Sequence, residues 1–375
     1  MIAPRTLDLL LQGVNNVTWQ SLVMIAIALT LMYLAIARDY EPLLLLPIAA
    51  GCLLANLPLS PLIAPEGMLR LLYDWGVGNE LFPLLIFIGI GALTDFGPLL
   101  ENPRLVLLGA AGQFGIFLTL ILALLLGFTQ PEAASIGIIG AIDGPTSIYV
   151  SGILAPHMLG PITVAAYSYM SLVPIILPPV VRLLTTQRER QIRMPYRSRK
   201  ISRRTRVLFP VVVTIVVGIL VPFATPLIGM LMLGNLMKES GVVERLTKAS
   251  SNEIANTVTL FLGLAIGSTM VGADFLKKET LFILVLGLLA FILDGAAGVL
   301  FAKLLNWLSG GKVNPMIGAA GISAFPMAAR VVQRMAHEED FENYLLMHAM
   351  GANAAGQVAS VVAGGVLLAL MGAGG

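Results

Sequence analysis

The stretch that decides the fold is 137–147, which reads GIIGAIDGPTS and follows an apolar run. Pro145 cannot donate a backbone hydrogen bond and restricts the residue before it, while the glycines permit unusual backbone angles. A helix is therefore predicted to break here. The break would free backbone carbonyls beside the Asp143 carboxylate and the hydroxyls of Thr146 and Ser147. Such hard oxygen donors suit a cation such as sodium.

The composition places this break inside a membrane protein. Hydrophobic residues make up 57% of the 375 residues and charged residues only 12%. A soluble protein of this size needs roughly a quarter charged residues to cover its surface, so most of this surface must face lipid. A soluble enzyme and a nucleic-acid-binding protein are thereby excluded. The single cysteine, Cys52, excludes a disulfide framework and a cysteine metal site.

Apolar runs recur along the chain, and several are too short to cross a bilayer unaided. We therefore expect an all-α, polytopic integral membrane protein with about nine to eleven helical elements, some of them half-helices or re-entrant hairpins. The first long run is interpreted as an anchor and not as a cleaved signal. The chain is predicted to divide into an N-terminal segment with the first transmembrane helix (1–40), a first membrane repeat (41–186), a basic loop (187–206), and a second membrane repeat with the C-terminal helix (207–375).

The basic loop sets the expected orientation. Against one acid, Glu189, it carries the basic residues Arg188, Arg190, Arg193, Arg197, Arg199, Lys200, Arg203, Arg204 and Arg206. A short loop with this bias is predicted to lie on the cytoplasmic side by the positive-inside rule. It could serve topology alone, or also bind an acidic partner or anionic lipid headgroups.

The two sides of the loop resemble each other in sequence. Four short matches occur in a common order: 86–89 with 260–263, 95–96 with 274–275, 140–145 with 321–326, and 67–69 with 229–231. They predict an internal repeat of roughly 175 residues. Secondary transporters are often built from two such halves, with broken helices meeting at the binding site near the midplane.

A second punctuated element follows at 314–326, where two prolines and two glycines interrupt an apolar stretch too short to span. This pattern favours a re-entrant segment buried in protein. Asn314 and Ser323 would add neutral oxygen donors to an ion site. Arg330 follows, and its planar guanidinium could clamp a carboxylate bidentately. It could equally be an interfacial arginine that snorkels beside Arg334.

Further polar side chains accompany the two elements. Tyr167 or Tyr169 could supply a buried phenol, or could belong to an interfacial aromatic belt. Asn353, Gln357 and Ser360 recur at helical spacing and share one helix face. That stripe is predicted to face either the ion path or another helix as interhelical glue.

Asp294 is another isolated acid in an apolar run, and the sequence assigns it no partner because Lys303 lies nine residues away. The chain contains no P-loop, zinc motif or nucleophile elbow.

Together, 140–149, 165–179, 234–246 and 314–330 resemble the beta subunit of the biotin-dependent, sodium-pumping decarboxylases. That family includes oxaloacetate, methylmalonyl-CoA and glutaconyl-CoA decarboxylase complexes. The resemblance extends from about Glu41 to Leu370, which is nearly the whole chain, and its motifs are long and specific.

The resemblance implies a concrete activity. The beta subunit would take carboxybiotin from a soluble partner, release CO2 and export Na+ across the inner membrane, with consumption of a periplasmic proton. The implied catalytic residues are Asp143, Tyr169 (or the neighbouring Tyr167) and Arg330, with Arg330 binding carboxybiotin. The implied Na+ ligands are Asp143, Asn314, Ser323 and, more weakly, Asn353. The implied backbone positions are Gly144, Pro145, Gly318 and Gly321.

The fold implied by the resemblance is an inverted-repeat, elevator-like transporter with broken helices. The implied partners are a carboxyltransferase and biotin-carrier alpha subunit, a small gamma membrane subunit, membrane lipid, and two further beta subunits in a homotrimer. Two other functions fit the residues alone. One is a sodium-coupled carboxylate symporter, and the other is a non-catalytic membrane anchor for a soluble enzyme, against which the expected buried polar cluster argues.

Overall fold

The computed structural model describes residues 12–40, 42–196 and 200–372, of which 273 and 274 are described by their backbone alone. Residues 1–11 of the N-terminal segment, Arg197 and Arg199 of the basic loop, and the Asp274 side chain of the repeat match lie outside this description.

The regular structure of the described residues is helical, which confirms the all-α prediction. The α-helices are α1 (Trp19–Arg38), α2 (Pro42–Asn56), α3 (Met68–Leu72), α4 (Leu81–Leu93), α5 (Gly97–Glu101), α6 (Val106–Ala111), α7 (Phe114–Leu125), α8 (Gln130–Gly137), α9 (Gly144–Leu154), α10 (Leu159–Leu184), α11 (Gln187–Arg190), α12 (Arg203–Leu220), α13 (Thr225–Ser240), α14 (Glu244–Ala249), α15 (Ala255–Ser268), α16 (Gly272–Phe275), α17 (Lys278–Leu308), α18 (Met327–Glu339) and α19 (Leu346–Gly372). Short 3-10 or π segments lie between them at Pro61–Ile63, Tyr73–Val77, Pro103–Leu105, Ile138–Ala141, Pro156–Met158, Pro222–Ala224, Ser250–Ile254 and Pro315–Gly321.

Within the described chain, five helical stretches are long and apolar enough to cross a membrane: α1, Pro103–Leu125, Pro156–Leu184, α17 and α19. A sixth is added if Pro42–Asn56 and Pro61–Val77, which are bent by 106° from each other, form one broken span. The remaining apolar helices are shorter than a bilayer requires. The chain is therefore a multi-helix membrane protein that combines long spans with shorter helical elements.

Local sequence explains where several helices begin and end. Thr18 caps α1 by accepting a hydrogen bond from the Ser21 backbone N–H at 3.1 Å. Thr129 and Glu132 form a reciprocal capping box at the start of α8. Gly241 ends α13 in the left-handed region, with φ of 67°, which glycine adopts without a Cβ clash.

Two helix crossings have the same construction. Gly51 of α2 and Gly267 of α15 face each other's backbone with no room for a Cβ on either, and Gly91 of α4 and Gly234 of α13 do the same. Each crossing joins a helix from before the basic loop to one from after it. In both, small residues let the helix backbones approach closely.

Each of these crossings also carries one buried asparagine. Asn56 donates to the Met270 carbonyl at 2.7 Å, just past the end of α15. Asn235 donates to the Thr94 carbonyl at 3.2 Å, just past the end of α4. Helix α13 thus packs on α4 as α2 packs on α15. The sequence match of 67–69 with 229–231 is not reproduced by this packing, because 67–69 lie at the start of the short helix α3 and not in α2.

Three arginines at the end of α10 and in the segment after it pair with acids at the end of α18, and we call this set the basic-end clamp. Its ion pairs are Arg182–Glu338 at 2.7 Å, Arg190–Glu339 at 2.6 Å, Arg193–Asp340 at 2.6 Å and Arg193–Glu342 at 2.7 Å. Hydrogen bonds from Arg193 hold the pKa of Asp340 below its ordinary value. Two arginines of the predicted basic loop, Arg190 and Arg193, are therefore neutralised by this clamp, and Arg206 lies 3.9 Å from Glu239. Of the loop's cations in the described ranges, Arg188, Lys200, Arg203 and Arg204 form no ion pair, and Arg203 donates to the Ser240 carbonyl.

Candidate functional site

The first helix break lies where the sequence predicted it. The 3-10 turn Ile138–Ala141 ends at Ile142, whose φ of 53° is left-handed, and Asp143 then caps α9. Pro145 stands in the first turn of α9, where its missing N–H leaves no hydrogen bond unmade. The strained turn and the proline together reverse the chain and aim Asp143 into the protein.

The Asp143 carboxylate is buried, with 4% of the residue exposed. Its Oδ2 accepts hydrogen bonds from Thr146 Oγ1 at 2.8 Å, Gln357 Nε2 at 3.0 Å and Ser360 Oγ at 3.1 Å. Its Oδ1 accepts only from the Thr146 backbone N–H, at 3.3 Å. No basic side chain of the described residues pairs with it. A buried carboxylate that is held only by neutral donors favours a bound cation or proton.

The second break is the 3-10 segment Pro315–Gly321, which is buried along its length as the sequence predicted. Asn314 caps its start, accepting from Met316 N at 3.0 Å and donating to the carbonyls of Arg190 at 2.8 Å and Ile192 at 2.9 Å. Asn314 therefore lies at the basic end. A seven-residue 3-10 segment spans about 14 Å, so Asn314 stands well away from the Ser323 side of this element.

Ser323 lies where the two breaks meet. Its backbone N–H donates to the Ala141 carbonyl at 3.2 Å, and its hydroxyl donates to the Gly356 carbonyl at 3.2 Å. The structure thus brings Ser323, but not Asn314, to the break that carries Asp143. The expected single cage of Asp143, Asn314 and Ser323 does not form in this arrangement, because the amide of Asn314 is engaged at the basic end.

The stripe on α19 connects both breaks. Gln357 and Ser360 donate to Asp143, while Asn353 donates to the Ile322 carbonyl at 2.6 Å. All three are buried. Gln357 and Ser360 of this stripe therefore contact the candidate ion site directly, and Asn353 contacts the second break.

The two tyrosines of α10 have different surroundings. Tyr169 donates its hydroxyl to the Leu284 carbonyl of α17. The ring of Tyr167 lies against Gly144 so closely that a Cβ there would overlap it. Tyr167 is therefore the tyrosine beside the Asp143 turn, whereas Tyr169 faces α17.

Arg330 lies in the first turn of α18, where its side chain is exposed and makes no ion pair or hydrogen bond with the described residues. Arg334, one turn further along α18, is exposed and unpaired in the same way. In this respect both differ from the arginines of the basic-end clamp. Their guanidinium groups are free to bind an external carboxylate.

The predicted glycines of the second break permit close backbone approach. A Cβ on Gly318 would overlap the Gly298 carbonyl of α17, and one on Gly321 would overlap the Leu108 carbonyl of α6. These positions accept glycine alone because two backbones touch there.

Sequence reasoning left Asp294 unassigned and did not identify Gln113. Asp294 is fully buried in α17, and one of its oxygens accepts from the Gly115 N–H at the start of α7. Lys303 is not its partner, since it pairs with Glu189 at 3.4 Å. Gln113 lies between α6 and α7, where its amide donates to the Gly109 and Gly321 carbonyls. A lone polar residue in an apolar run was the available signal for both.

A cleft of about 890 Å³ opens at the opposite end of α10 from the clamp. Polar side chains line it, including Glu132 and His157, which approach each other to 3.0 Å, and Ser268 and Thr269. It offers an open approach to the protein from the side away from the basic segment.

Comparison with known proteins bears on this site. The family model described as the Na+-transporting oxaloacetate decarboxylase beta subunit matches residues 20–371. The chain is 55% identical to the methylmalonyl-CoA decarboxylase subunit beta of Veillonella parvula, over 93% of this chain and 92% of that protein. It is 52% identical to the glutaconyl-CoA decarboxylase subunit beta of Acidaminococcus fermentans, over 95% and 94%. It is 47% identical to the oxaloacetate decarboxylase beta chain 2 of Salmonella typhimurium, over 97% and 98%.

These matches confirm the resemblance that the sequence motifs indicated. They cover both broken elements, the basic segment between them and the α19 stripe. An all-helical membrane chain with a buried carboxylate between two helix breaks thus belongs to the family of beta subunits of sodium-transporting decarboxylases.

Proposed function

We propose that this beta subunit decarboxylates carboxybiotin delivered by a partner subunit and exports Na+, with Asp143 binding Na+ and a proton in turn. The observation that carries the proposal is the buried Asp143 carboxylate, which has neutral donors on Oδ2 and a nearly free Oδ1. Such a group is stable in a membrane interior only when a cation or proton offsets its charge.

The chemistry balances with one proton. The bond between the ureido nitrogen and the carboxyl carbon breaks, CO2 leaves, and the nitrogen keeps the electron pair and takes a proton. Arg330 is the proposed clamp for the carboxylate, because its guanidinium is exposed and unpaired. Asp143 and a tyrosine of α10 are the proposed proton donors. Tyr167 lies nearer the Asp143 turn, while the family resemblance favours Tyr169.

Proton and ion movements are coupled through the single charge. A proton arriving from the side of the polar cleft would neutralise Asp143 and remove the formal charge that holds Na+. Na+ would then leave, and loss of the proton to the biotin nitrogen would restore the carboxylate. Ser323 and Asn353 are the proposed further Na+ ligands, as neutral oxygen donors near the meeting point of the breaks. Asn314 remains a predicted ligand that would need the second element to move.

An inverted repeat with elevator-like motion is part of the proposal. It is supported by the two helix crossings, in which α13 packs on α4 as α2 packs on α15, and by one broken element in each half. The proposed assembly has a carboxyltransferase and biotin-carrier alpha subunit, a gamma subunit and three beta subunits in the inner membrane. The positive charge of the basic loop supports a cytoplasmic position for it. The relatives named above belong to methylmalonyl-CoA, glutaconyl-CoA and oxaloacetate decarboxylases; of these, we propose an oxaloacetate or methylmalonyl-CoA complex.

Asp143→Asn in the complete complex tests the proposal. Asparagine keeps the helix cap but cannot carry the charge, so Na+-dependent CO2 release and 22Na+ uptake into proteoliposomes should both be abolished while the complex assembles. Asp39→Asn is the matched control, since Asp39 is an exposed residue that ends α1 with φ of 53°, which asparagine tolerates.

Retained Na+-dependent decarboxylation in Asp143→Asn would contradict the scheme. Citrate-like acids transported by the isolated subunit without a biotin protein would instead support a carboxylate symporter. An assembled Asp143→Asn complex that keeps both Na+-dependent CO2 release and 22Na+ uptake would support a passive anchor.

A further inference from the structure

Two buried side-chain amides near the second break have oxygens that accept no hydrogen bond from any described residue. They are Gln113 Oε1 and Asn353 Oδ1. The residues are 4% and 0% exposed, respectively. Buried carbonyl oxygens in a membrane interior are normally paired, so a pair of unpartnered ones points to a ligand.

The orientation of both amides is fixed by their nitrogens. Gln113 Nε2 donates to the Gly109 carbonyl at 3.2 Å and to the Gly321 carbonyl at 3.4 Å. Asn353 Nδ2 donates to the Ile322 carbonyl at 2.6 Å. Flipping either amide would put its oxygen against a carbonyl oxygen, which is repulsive. The unpartnered atoms are therefore the oxygens.

The two amides approach the same piece of backbone. They bind the consecutive carbonyls of Gly321 and Ile322, and a Cβ built on Gly356 would meet both of these carbonyl oxygens. The two carbonyls thus converge beside Gly356 of α19. Gln113 reaches this place because the helix is interrupted between α6 and α7.

The place lies on the basic-end side of Asp143. Helix α19 begins at the basic end, where His348 Nε2 lies 3.3 Å from the Met194 carbonyl. Asn353 precedes Gln357, which donates to Asp143, by four residues, or about 6 Å along the helix axis. An ion moving from the basic end would meet these amides before the carboxylate.

We infer that Gln113, together with Asn353, holds Na+ at an uncharged site one helical turn from Asp143. This rests on the proposed function, places its ligand Asn353 at a second Na+ position and adds Gln113 there. Neutral amide oxygens are hard donors that suit Na+. Neither group titrates, so the site would keep its ligands in both protonation states of Asp143. It would pass the ion to the carboxylate without holding it tightly.

The test is the Na+ dependence of the complete complex, with choline chloride keeping the ionic strength constant. Gln113→Leu should raise the Na+ concentration for half-maximal decarboxylation about tenfold, because one oxygen ligand is lost. It should also reduce the Na+-induced rise in the thermal unfolding midpoint, a readout that needs no carboxybiotin. Gln113→Asn keeps the amide but retracts it, and should give a smaller shift of the same sign.

Thr119→Val is the matched control. Thr119 is fully buried in α7, two helical turns from Gln113, and its hydroxyl also accepts no hydrogen bond in the described chain. Loss of this hydroxyl should leave the Na+ concentration for half-maximal decarboxylation (the Na+ midpoint) unchanged.

An unchanged Na+ midpoint in Gln113→Leu, while Asp143→Asn still abolishes activity, would overturn this inference and leave the proposed function intact. If Gln113→Leu does not assemble, Gln113→Asn decides. Equal stability losses with and without Na+ would assign the amide to packing or to a bound water.

Discussion

The two broken elements keep their charges in different places. The first element, 130–154, carries Asp143 at its break, buried among neutral donors. The second, 314–339, has no ionisable side chain before Arg330, and its acids lie at the far end of α18 in the basic-end clamp. The first element therefore has the group that can change charge, while the second is fixed by backbone contact at its centre and ion pairs at its end. The group that can change charge and the ion pairs that anchor the second element are therefore separated in the chain.

Gly318→Ala should have the largest effect on stability, because it attacks the backbone contact of the second element. The added methyl would overlap the Gly298 carbonyl, which cannot move without distorting α17. We expect the free energy of unfolding to fall by about 3 kcal/mol, measured by unfolding of the subunit in detergent. Gly152→Ala in α9, where nothing lies within 4 Å of the added methyl, is the control and should be neutral.

Gln357→Leu should have the next largest effect on stability, since it removes a hydrogen-bond donor from the Asp143 carboxylate of the first element. A hydrogen bond to a charged group contributes about 2 kcal/mol, so the variant should lose a similar amount of stability when Na+ is absent. Saturating Na+ should restore part of the loss by offsetting the charge. The exposed residue Gln187 provides the control variant Gln187→Leu. A loss that Na+ does not change would argue that Gln357 only packs helices together.

Arg190→Gln tests the anchoring of the second element and should have a smaller effect on stability. Arg190 pairs with Glu339 at 2.6 Å, and both side chains are mostly buried. Loss of this charged pair should lower the free energy of unfolding by about 1.5 kcal/mol, measured in the same detergent assay. Arg188→Gln changes a neighbouring arginine that forms no ion pair in the described residues. If the two variants behaved alike, the clamp would contribute nothing specific.

The smallest expected effect is the pH response of the exposed half of the clamp. Arg193 holds the pKa of Asp340 below its ordinary value of 3.8. The stabilisation is therefore fully present above that ordinary value and is lost as the pH falls through the lowered pKa of the folded state. Between pH 5 and pH 3, the unfolding midpoint should drop more in the parent protein than in Arg193→Gln. This pH range is chosen because it brackets the ordinary pKa of an aspartate carboxyl group. High salt should reduce the difference.

Much of the fold followed from local sequence. Pro145 and the glycines around Asp143 predicted a break that lies within a few residues of its observed position. The same reasoning identified the buried segment from Pro315 onward. Glycine and proline act through the backbone of their own and adjacent residues, so their effects can be predicted without knowledge of the rest of the chain.

The partners within the site were harder to predict. Sequence reasoning grouped Asn314 with Asp143 and favoured Tyr169, whereas the structure engages Asn314 at the basic end and turns Tyr167 toward Gly144. It also did not identify Gln113. Neighbours along the chain can point in different directions around a helix, and residues that share a motif can lie at opposite ends of an element.

The sequence by itself determined that this chain lies in a membrane, where its helices break, and that one acid is buried at the first break. Composition and local backbone preference suffice for these, since both act over short range. Only the tertiary structure decided that Gln357 and Ser360 complete the Asp143 site, and that the acids at the end of α18 pair with Arg190 and Arg193 of the basic segment. Those pairings join residues some 150 to 217 positions apart, and they depend on how each helix is rotated and shifted against its neighbours.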